Sequence, residues 1–344
     1  LKYGELTMKI KDIANLTGLS VATISRVMNN HPNVSPETRE KVESAIAETG
    51  YVPNFLGRNL RVSKTHKILI ILPTAGNPFY SEILEAIQEQ ANHSEYTILI
   101  GVTNEDPTLE NKYMEMLTTK QVDGAITFLS KYDKYALTQW ASQYPLVQCC
   151  EYTEGAQITN ISVDNEQGAY DAVSYLIRKG HTRIGAIRGQ LYFASESDRT
   201  AGYKRALEQA GIKYRPEYCH IADYTPEGGF RGAKALMALE EPPTAIFAYG
   251  DTIAIGVIKA LSETGHIRVG RTDGVRNVAV IGFDDIQLSG MLSPTLSTVY
   301  QPKYELGKKS FRLLMDQINK GSDNKECYSI KLMHKLVIRE SSEL

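Results

Sequence analysis

No apolar run in the chain approaches the roughly eighteen residues that a membrane-crossing helix needs. The N-terminal LKYGELT lacks a basic stretch followed by an apolar one, so no secretory signal is read there and a cytoplasmic location is expected. Met8 is a plausible start, and Leu1 to Thr7 are set aside from the fold argument. Cysteine is scarce. The four are Cys149, Cys150, Cys219 and Cys327, with no C-x-x-C pair and no histidine at zinc spacing, which favours reduced thiols over a disulfide scaffold. There is no G-x-G-x-x-G after a strand, no P-loop, no G-x-S-x-G and no metal-spaced histidine pair. Seven histidines are scattered; His181, between a helix and a strand, reads as structural. No cofactor and no metal are expected, and an enzyme on this fold is the weakest of three readings.

Net charge is nearly absent too, at −2. That balance hides an asymmetry. Between Met8 and His66 there are eight basic and five acidic residues; from Lys67 onward, 29 basic and 34 acidic. A small basic head on a larger acidic body suits a nucleic-acid-binding head.

The head reads as three short helices. "IKDIANLTG" carries Ile10, Ile13, Ala14 and Leu16 as its apolar face and ends at Gly18. Ser20 caps a second helix, "VATISRVMNN", after a turn of three residues. A third begins with Ser35 as N-cap and Pro36 at the first position, buries Val42, Ala45 and Ile46, and stops at Gly50. Helix, short turn and helix make a helix-turn-helix. Ile24, Val27 and Met28 fall on its inner face. Val21, Ala22, Ser25 and Arg26 fall outside, small enough to let a base edge approach: Val21 and Ala22 toward a thymine methyl, Arg26 toward guanine. Ser20 as cap, with Thr23, Ser25 and Asn29, suits contact with phosphates. The plainer alternative is a three-helix bundle with a small surface. A further short helix from Asn54 to Arg61, with Leu56, Leu60, Arg58 and Arg61, is too short to stand alone. Paired with a symmetry mate in a minor groove, its leucine would wedge between base pairs.

From Lys67 the texture changes to apolar strands ("KILIILP", "YTILIGV", "DGAITFL", "TAIFAYG") alternating with amphipathic helices. That pattern predicts α/β architecture: doubly wound parallel sheets covered on both faces, and at this length two of them with a cleft between.

These motifs together resemble the lactose/galactose-repressor (LacI/GalR) family. The likeness runs from "IKDIANLTGLSVATISRVMNN" through "VSPETREKVESAIAETGYVPN". It continues in "NPFY", "VDG", "SVDN", "GHTRIG", "DRTAGY", "PPTAIFAYGD", "VIGFDD", "LSTVYQP" and "LVIRESS". The cytidine-repressor and galactose-repressor branches resemble it most. The resemblance implies a helix-turn-helix domain at 8–53 and a hinge helix and linker at 54–66. It implies a periplasmic-binding-protein-like body of two subdomains, 67–161 with 298–323 and 162–297 with 324–341. It implies Val21, Ala22 and Arg26 as base readers, Leu60 as the intercalating leucine, and a palindromic operator. Gly57 departs from the alanine usual in the hinge, at about 1 kcal/mol of helix stability. The absence of a leucine heptad tail implies a homodimer, with "FYSEILEAIQEQ" and "NKYMEML" in its interface.

For the cleft, the resemblance implies a small-molecule effector (sugar, sugar phosphate or nucleoside) held by Phe79, Tyr80, Ser130, Glu151, Phe193, Ser195, Arg199, Tyr224, Asp251 and Asp284. Each has a plainer reading. Phe79 and Tyr80 open a helix and fit a core, Arg199 can balance Asp198, Asp251 and Asp284 can cap helices, and Glu151 can be a solvated loop acid. A longer stretch than usual, 265–277 with Arg268, Arg271 and Arg276, reads as a surface loop. The expected function is therefore a sequence-specific DNA-binding transcriptional regulator, an allosteric repressor of carbohydrate or nucleoside metabolism. The alternative is a solute-binding protein of sugar uptake.

Overall fold

A computed structural model describes residues 8–28, 30–51, 64–128, 131–190, 193–268, 277–321 and 326–343. The chain divides into two compact units, a head up to Lys64 and a body from Thr65.

In the head, α1 is Ile10–Thr17, α2 Val21–Met28 and α3 Pro36–Thr49. The ends form where the side chains dictate. Gly18 and Gly50 take left-handed φ values of 64° and 63°, which glycine adopts without a Cβ clash. The Ser20 hydroxyl accepts the Thr23 amide (3.1 Å), and the Ser35 hydroxyl accepts the Thr38 amide (3.3 Å). Ile13, Ala14, Ile24, Val27, Val42 and Tyr51 make the core. Leu16 does not join it: it is 62 % exposed, and Thr17 is buried instead. The inner stripe runs 10, 13, 14, 17, the i, i+3, i+4, i+7 spacing, and Leu16 stands off it. Arg39 fastens α3 to the end of α2, donating to Asn30 Oδ1 (2.8 Å) and to the His31 carbonyl (3.2 Å).

The body has two six-stranded sheets. The first holds β1 (Lys67–Leu72), β2 (Thr97–Val102), β3 (Gly124–Thr127), β4 (Leu146–Cys149), β5 (Thr159–Val163) and β11 (Ser329–Leu332), in the order β11-β5-β4-β3-β1-β2. The second holds β6 (Ile184–Arg188), β7 (Cys219–Ile221), β8 (Ala245–Ala248), β9 (Ala279–Asp284), β10 (Ser297–Tyr300) and β12 (Lys335–Val337), in the order β12-β10-β9-β8-β6-β7. Every described pairing is parallel except β10 with β12.

Both faces of each sheet are covered, which explains strands that are apolar at every position. In β1, Ile68, Ile70 and Leu72 face α4 (Phe79–Asn92) and α11 (Lys303–Lys320). Leu69 and Ile71 face α5 (Pro107–Thr118) and α6 (Lys134–Gln143). In the second sheet, Ala245 and Phe247 face α7 (Asn165–Arg178) and α8 (Ala194–Gln209), while Ile246 and Ala248 face α9 (Pro226–Met237) and α10 (Asp251–Glu263). The pair α9 and α10 packs so closely that a Cβ on Gly256 would lie 1.8 Å from the Pro226 carbonyl oxygen.

Strand membership shifts three of the expected boundaries; β5 runs to Val163 in the first sheet, past the expected boundary at 161. Ser297–Tyr300 lies in the second sheet, so the chain returns to the first only at Gln301 and Pro302. Residues 329–332 pair with β5 in the first sheet, so the last crossing falls at Met333 and His334, not near 324. β11 is a short edge strand whose residues alternate between exposed and half-buried, which gives it none of the apolar signal of the central strands. The loop at 265–277 closes at its base: Asn277 exchanges hydrogen bonds with the backbone of Arg268 (2.8 and 3.0 Å). Arg271 and Arg276 lie outside the described residues. All four cysteines are free thiols. Among the described residues no helix is long and apolar enough to cross a membrane.

Candidate functional site

In the head, Ile24 and Val27 are buried, and Met28 is half-buried against them. Ser20, Ala22 and Arg26 are exposed on the opposite side of α2. Val21 is shared, since it packs partly against the head core. Thr23 is half-buried, and its hydroxyl pairs with that of Ser20 at 2.9 Å. Ser25 is half-buried. The outer surface of α2 is thus short side chains and one guanidinium, and Arg26 also lies in the last turn, where a cation suits the helix dipole. Asn29, Asn54, Gly57 and Leu60 lie outside the described residues.

In the body, the carboxyl ends of the strands of both sheets converge on one cavity of about 120 Å³. Each sheet reverses its strand order at β1 and at β6, which opens a crevice there. Phe79 and Tyr80 follow β1 and start α4, with the Asn77 side chain accepting the Phe79 amide (3.0 Å). Tyr80 meets Phe79 and Phe128 edge-on, with centroids 5.2 and 5.3 Å away, so the first subdomain supplies an aromatic wall. Glu151 follows β4 and reaches across: it accepts the Ser195 amide at 3.1 Å and a short hydrogen bond from the Ser195 hydroxyl. Burial pushes its carboxyl up to about 7, against those two donors. Two further contacts span the cleft, Tyr152 hydroxyl to Asp198 (2.9 Å) and Lys131 over the Phe193 ring (4.8 Å). A wider cavity of about 560 Å³ adjoins, with Glu151 and Phe193 lining both.

Arg199 is 6 % exposed. It is not the partner of Asp198. Its Nε donates to Asn165 Oδ1 (2.9 Å), Nη1 donates to the Tyr249 carbonyl, and the guanidinium lies 3.7 Å from the Phe283 ring centre. Asp284 ends β9 with φ at 118°, a conformation costly for any residue with a Cβ. It is held there by Gln301, which donates to Oδ1 (2.7 Å), and by Lys303, whose ammonium donates to the Asp284 and Asp285 carbonyls (2.9 and 2.8 Å). Burial raises the Asp284 carboxyl to about 6, and Arg199 opposes that rise.

Phe79, Tyr80, Glu151, Phe193, Ser195, Arg199, Tyr224 and Asp284 all line the smaller cavity. Ser130 lies outside the described residues. Asp251 does not line it. It is wholly buried beneath, at the first position of α10, accepting from Thr298 (2.6 Å), Ser289 (2.6 Å) and the Ile286 amide (3.0 Å). Both oxygens are used in joining α10 to the segments around β9 and β10. Burial first, then the Asp284 charge, lifts it to about 7.

Eight lining residues escaped the sequence reading, among them Phe128, Gln301 and Glu196. Phe128 follows β3, Gln301 follows β10, and Glu196 sits in the first turn of α8. Glu196 is buried, with the Tyr224 hydroxyl donating to its Oε1. A signal was present: 195, 196 and 199 share one helical face with Gly202 and Tyr203, all buried.

Residues 9–54 match the family model of bacterial regulatory proteins of the lacI family. Residues 65–340 match that of periplasmic binding proteins and the sugar-binding domain of the LacI family. The HTH-type transcriptional repressor CytR of Escherichia coli (strain K12) is 34 % identical over 318 residues, 92 % of each chain. A crystal structure of the Lac repressor dimer bound to operator and the anti-inducer ONPF superposes with a TM-score of 0.85 at 26 % identity, covering 98 % of this chain and 99 % of that one. The transcriptional regulator CelR in complex with cellobiose superposes at 0.71 with 27 % identity, over 97 % of this chain and all of the other. With one model on its head, another on its body and such relatives along nearly its whole length, the chain belongs to the LacI family of bacterial regulatory proteins.

Proposed function

We propose that this protein is a ligand-responsive transcriptional repressor that binds an inverted-repeat operator as a homodimer. The observation that carries this reading is the presence, on one chain, of a helix-turn-helix whose outer surface has short side chains and Arg26 as its one charge, and of a strand-end cleft whose two walls touch through Glu151 and Ser195. Ala22 and Arg26 would meet base edges, and Ser20 would contribute where the helix meets the backbone. In the cleft, Phe79, Tyr80 and Phe193 form apolar walls, and Arg199, Glu151, Glu196 and Asp284 supply the polar contacts. A ligand that favours one arrangement of the two walls shifts the population that binds DNA, and DNA shifts ligand affinity by the same factor.

The relatives support each partner. The Lac repressor structure holds operator DNA as a dimer, and the CelR structure holds cellobiose. Edge strands β2 and β7 expose Ile100 (55 %) and Ile221 (46 %), apolar surface that a second copy of the chain would cover, together with α4 and α5. The relatives named are transcription regulators, and we assign no catalytic role. An operator as partner supports a cytoplasmic location. Uptake of solutes is not favoured, because it leaves the head without a task.

Selection from a randomised duplex pool with the full chain tests the reading. Recovery of an inverted repeat is expected. A pool that stays random removes the DNA-binding function, and a single unrepeated half-site removes the dimer.

A further inference from the structure

The charges that line the smaller cavity do not balance. Glu105, Glu151, Glu196 and Asp284 face it. Lys131 pairs with Glu105 at 3.0 Å, and Lys303, which lies below, is 3.4 Å from Glu82. Arg188 donates to the Gly189 carbonyl and does not line the cavity. Three carboxylates, Glu196 and Asp284 buried and Glu151 half-buried, line the cavity with Arg199 as the only unspent lining cation among the described residues; Lys303 and Arg188 act on Asp284 and Glu196 from outside the lining. Among the described residues no ion pair within 4 Å joins Arg199 to any of them. Arg199 is itself held by Asn165 and Tyr249.

Glu196 shows where the deficit is sharpest. Its Oε1 has Tyr224, but its Oε2 is buried with no hydrogen-bond partner. A buried carboxylate oxygen without a donor is costly, and a second and third acid nearby add to the cost. We propose that the cleft takes a hydroxylated ligand bearing a protonated amine, an amino sugar, and that Glu196 is the carboxylate that receives the ammonium. The proposal rests on reading the cleft as the effector site.

An ammonium group brings three donors and a positive charge on one atom, which suits an acceptor-only wall. A phosphate would bring further negative charge toward three carboxylates. An uncharged hydroxyl can donate to Oε2, but it leaves the excess negative charge in place. The walls of Phe79, Tyr80, Phe193 and Tyr224 suit the apolar face of a sugar ring, and an aromatic face also favours a cation beside it. Burial raises the affinity of Glu151, Glu196 and Asp284 for protons, which relieves the same imbalance that a cationic ligand would relieve.

Calorimetric titration of the full chain with D-glucosamine, D-galactosamine and D-mannosamine tests this. Each is matched with its parent hexose, its N-acetyl derivative and the hexose 6-phosphate. The expected result is that at least one amine binds tenfold or more tighter than all three counterparts, and that Glu196→Gln narrows this preference to threefold or less. A hexose, N-acetyl or phosphate form that binds as tightly as the amine overturns the proposal and leaves the effector reading intact. Binding by none of the four series, with an operator still selected from a random pool, overturns the amino-sugar assignment while the regulator stands. An amine preference unchanged in Glu196→Gln overturns the role of Glu196.

Discussion

At the start and on the outside of α2, Ser20, Ala22 and Arg26 are exposed and rest on a small apolar core; in the cleft, Glu196, Arg199 and Asp284 are buried, Glu151 is half-buried, and each is held by a neutral neighbour. The head keeps its recognition groups in water until a partner arrives. The cleft has already removed its groups from water, at a cost offset by Ser195, Tyr224, Asn165 and Gln301. A substitution on the head surface should therefore change binding with little effect on folding, whereas one in the cleft should change both.

The largest expected departure is in the cleft. Arg199→Ala removes a buried cation near Glu151, Glu196 and Asp284 and strands Asn165 and the Tyr249 carbonyl, and we expect about 3–5 kcal/mol of lost body stability together with loss of ligand response. Urea unfolding followed by the fluorescence of Trp140, the single tryptophan and part of the body, reads this directly. Asp251→Ala should cost about 2–4 kcal/mol, because it opens a void and strands the Ile286 amide. Its ligand preference should match that of the unaltered chain, which separates the buried joint from the cavity wall.

A pH series sharpens the contrast further. Glu151, Asp251 and Asp284 are raised to about 7, about 7 and about 6. In the folded body they keep protons that the unfolded chain has released, so the unfolded state binds fewer protons and stability falls as pH rises. Each group raised to about 7 should contribute on the order of 2 kcal/mol between about pH 5 and pH 7, and Asp284 about 1 kcal/mol. A stability that rises over that window would contradict the burial of these acids. In the head, Arg26→Ala should weaken operator binding by roughly 1–3 kcal/mol and relax one base position, with the urea midpoint unmoved. Ser20→Ala is the exception on the head surface, because it also removes the cap of α2; it should cost the head about 1 kcal/mol, measurable by circular dichroism melting.

The same contrast decides what can be read from sequence. Head signals are local. Ser20, Ser35, Pro36, Gly18 and Gly50 each act within four residues, and the structure has them where the spacing puts them. Leu16 is the exception, a leucine next to Thr17 but off the inner stripe, whose apolarity outweighed its phase. In the body, the continuous apolar runs announce strands buried on both faces, while β11, a half-exposed edge strand, announces nothing.

The cleft is built from residues up to about two hundred positions apart, and no local pattern unites Tyr80 with Asp284. The family resemblance brought eight such positions to one cavity and put Asp251 on the wrong side of its floor. Glu196 was overlooked for a different reason, although it shares a helical face with Ser195 and Arg199. An acid in the first turn of a helix ordinarily serves the helix dipole. Only the folded body shows Tyr224 reaching it from beyond β7, and one of its oxygens without a partner.

The most direct measurement is the affinity of the full chain for its selected operator, with and without a saturating concentration of the tightest-binding sugar from the matched series. Coupling of cleft and head predicts a change of fivefold or more, within the 1–3 kcal/mol typical of linked sites, and no change in Arg199→Ala. Identical operator isotherms with and without bound sugar would contradict the account.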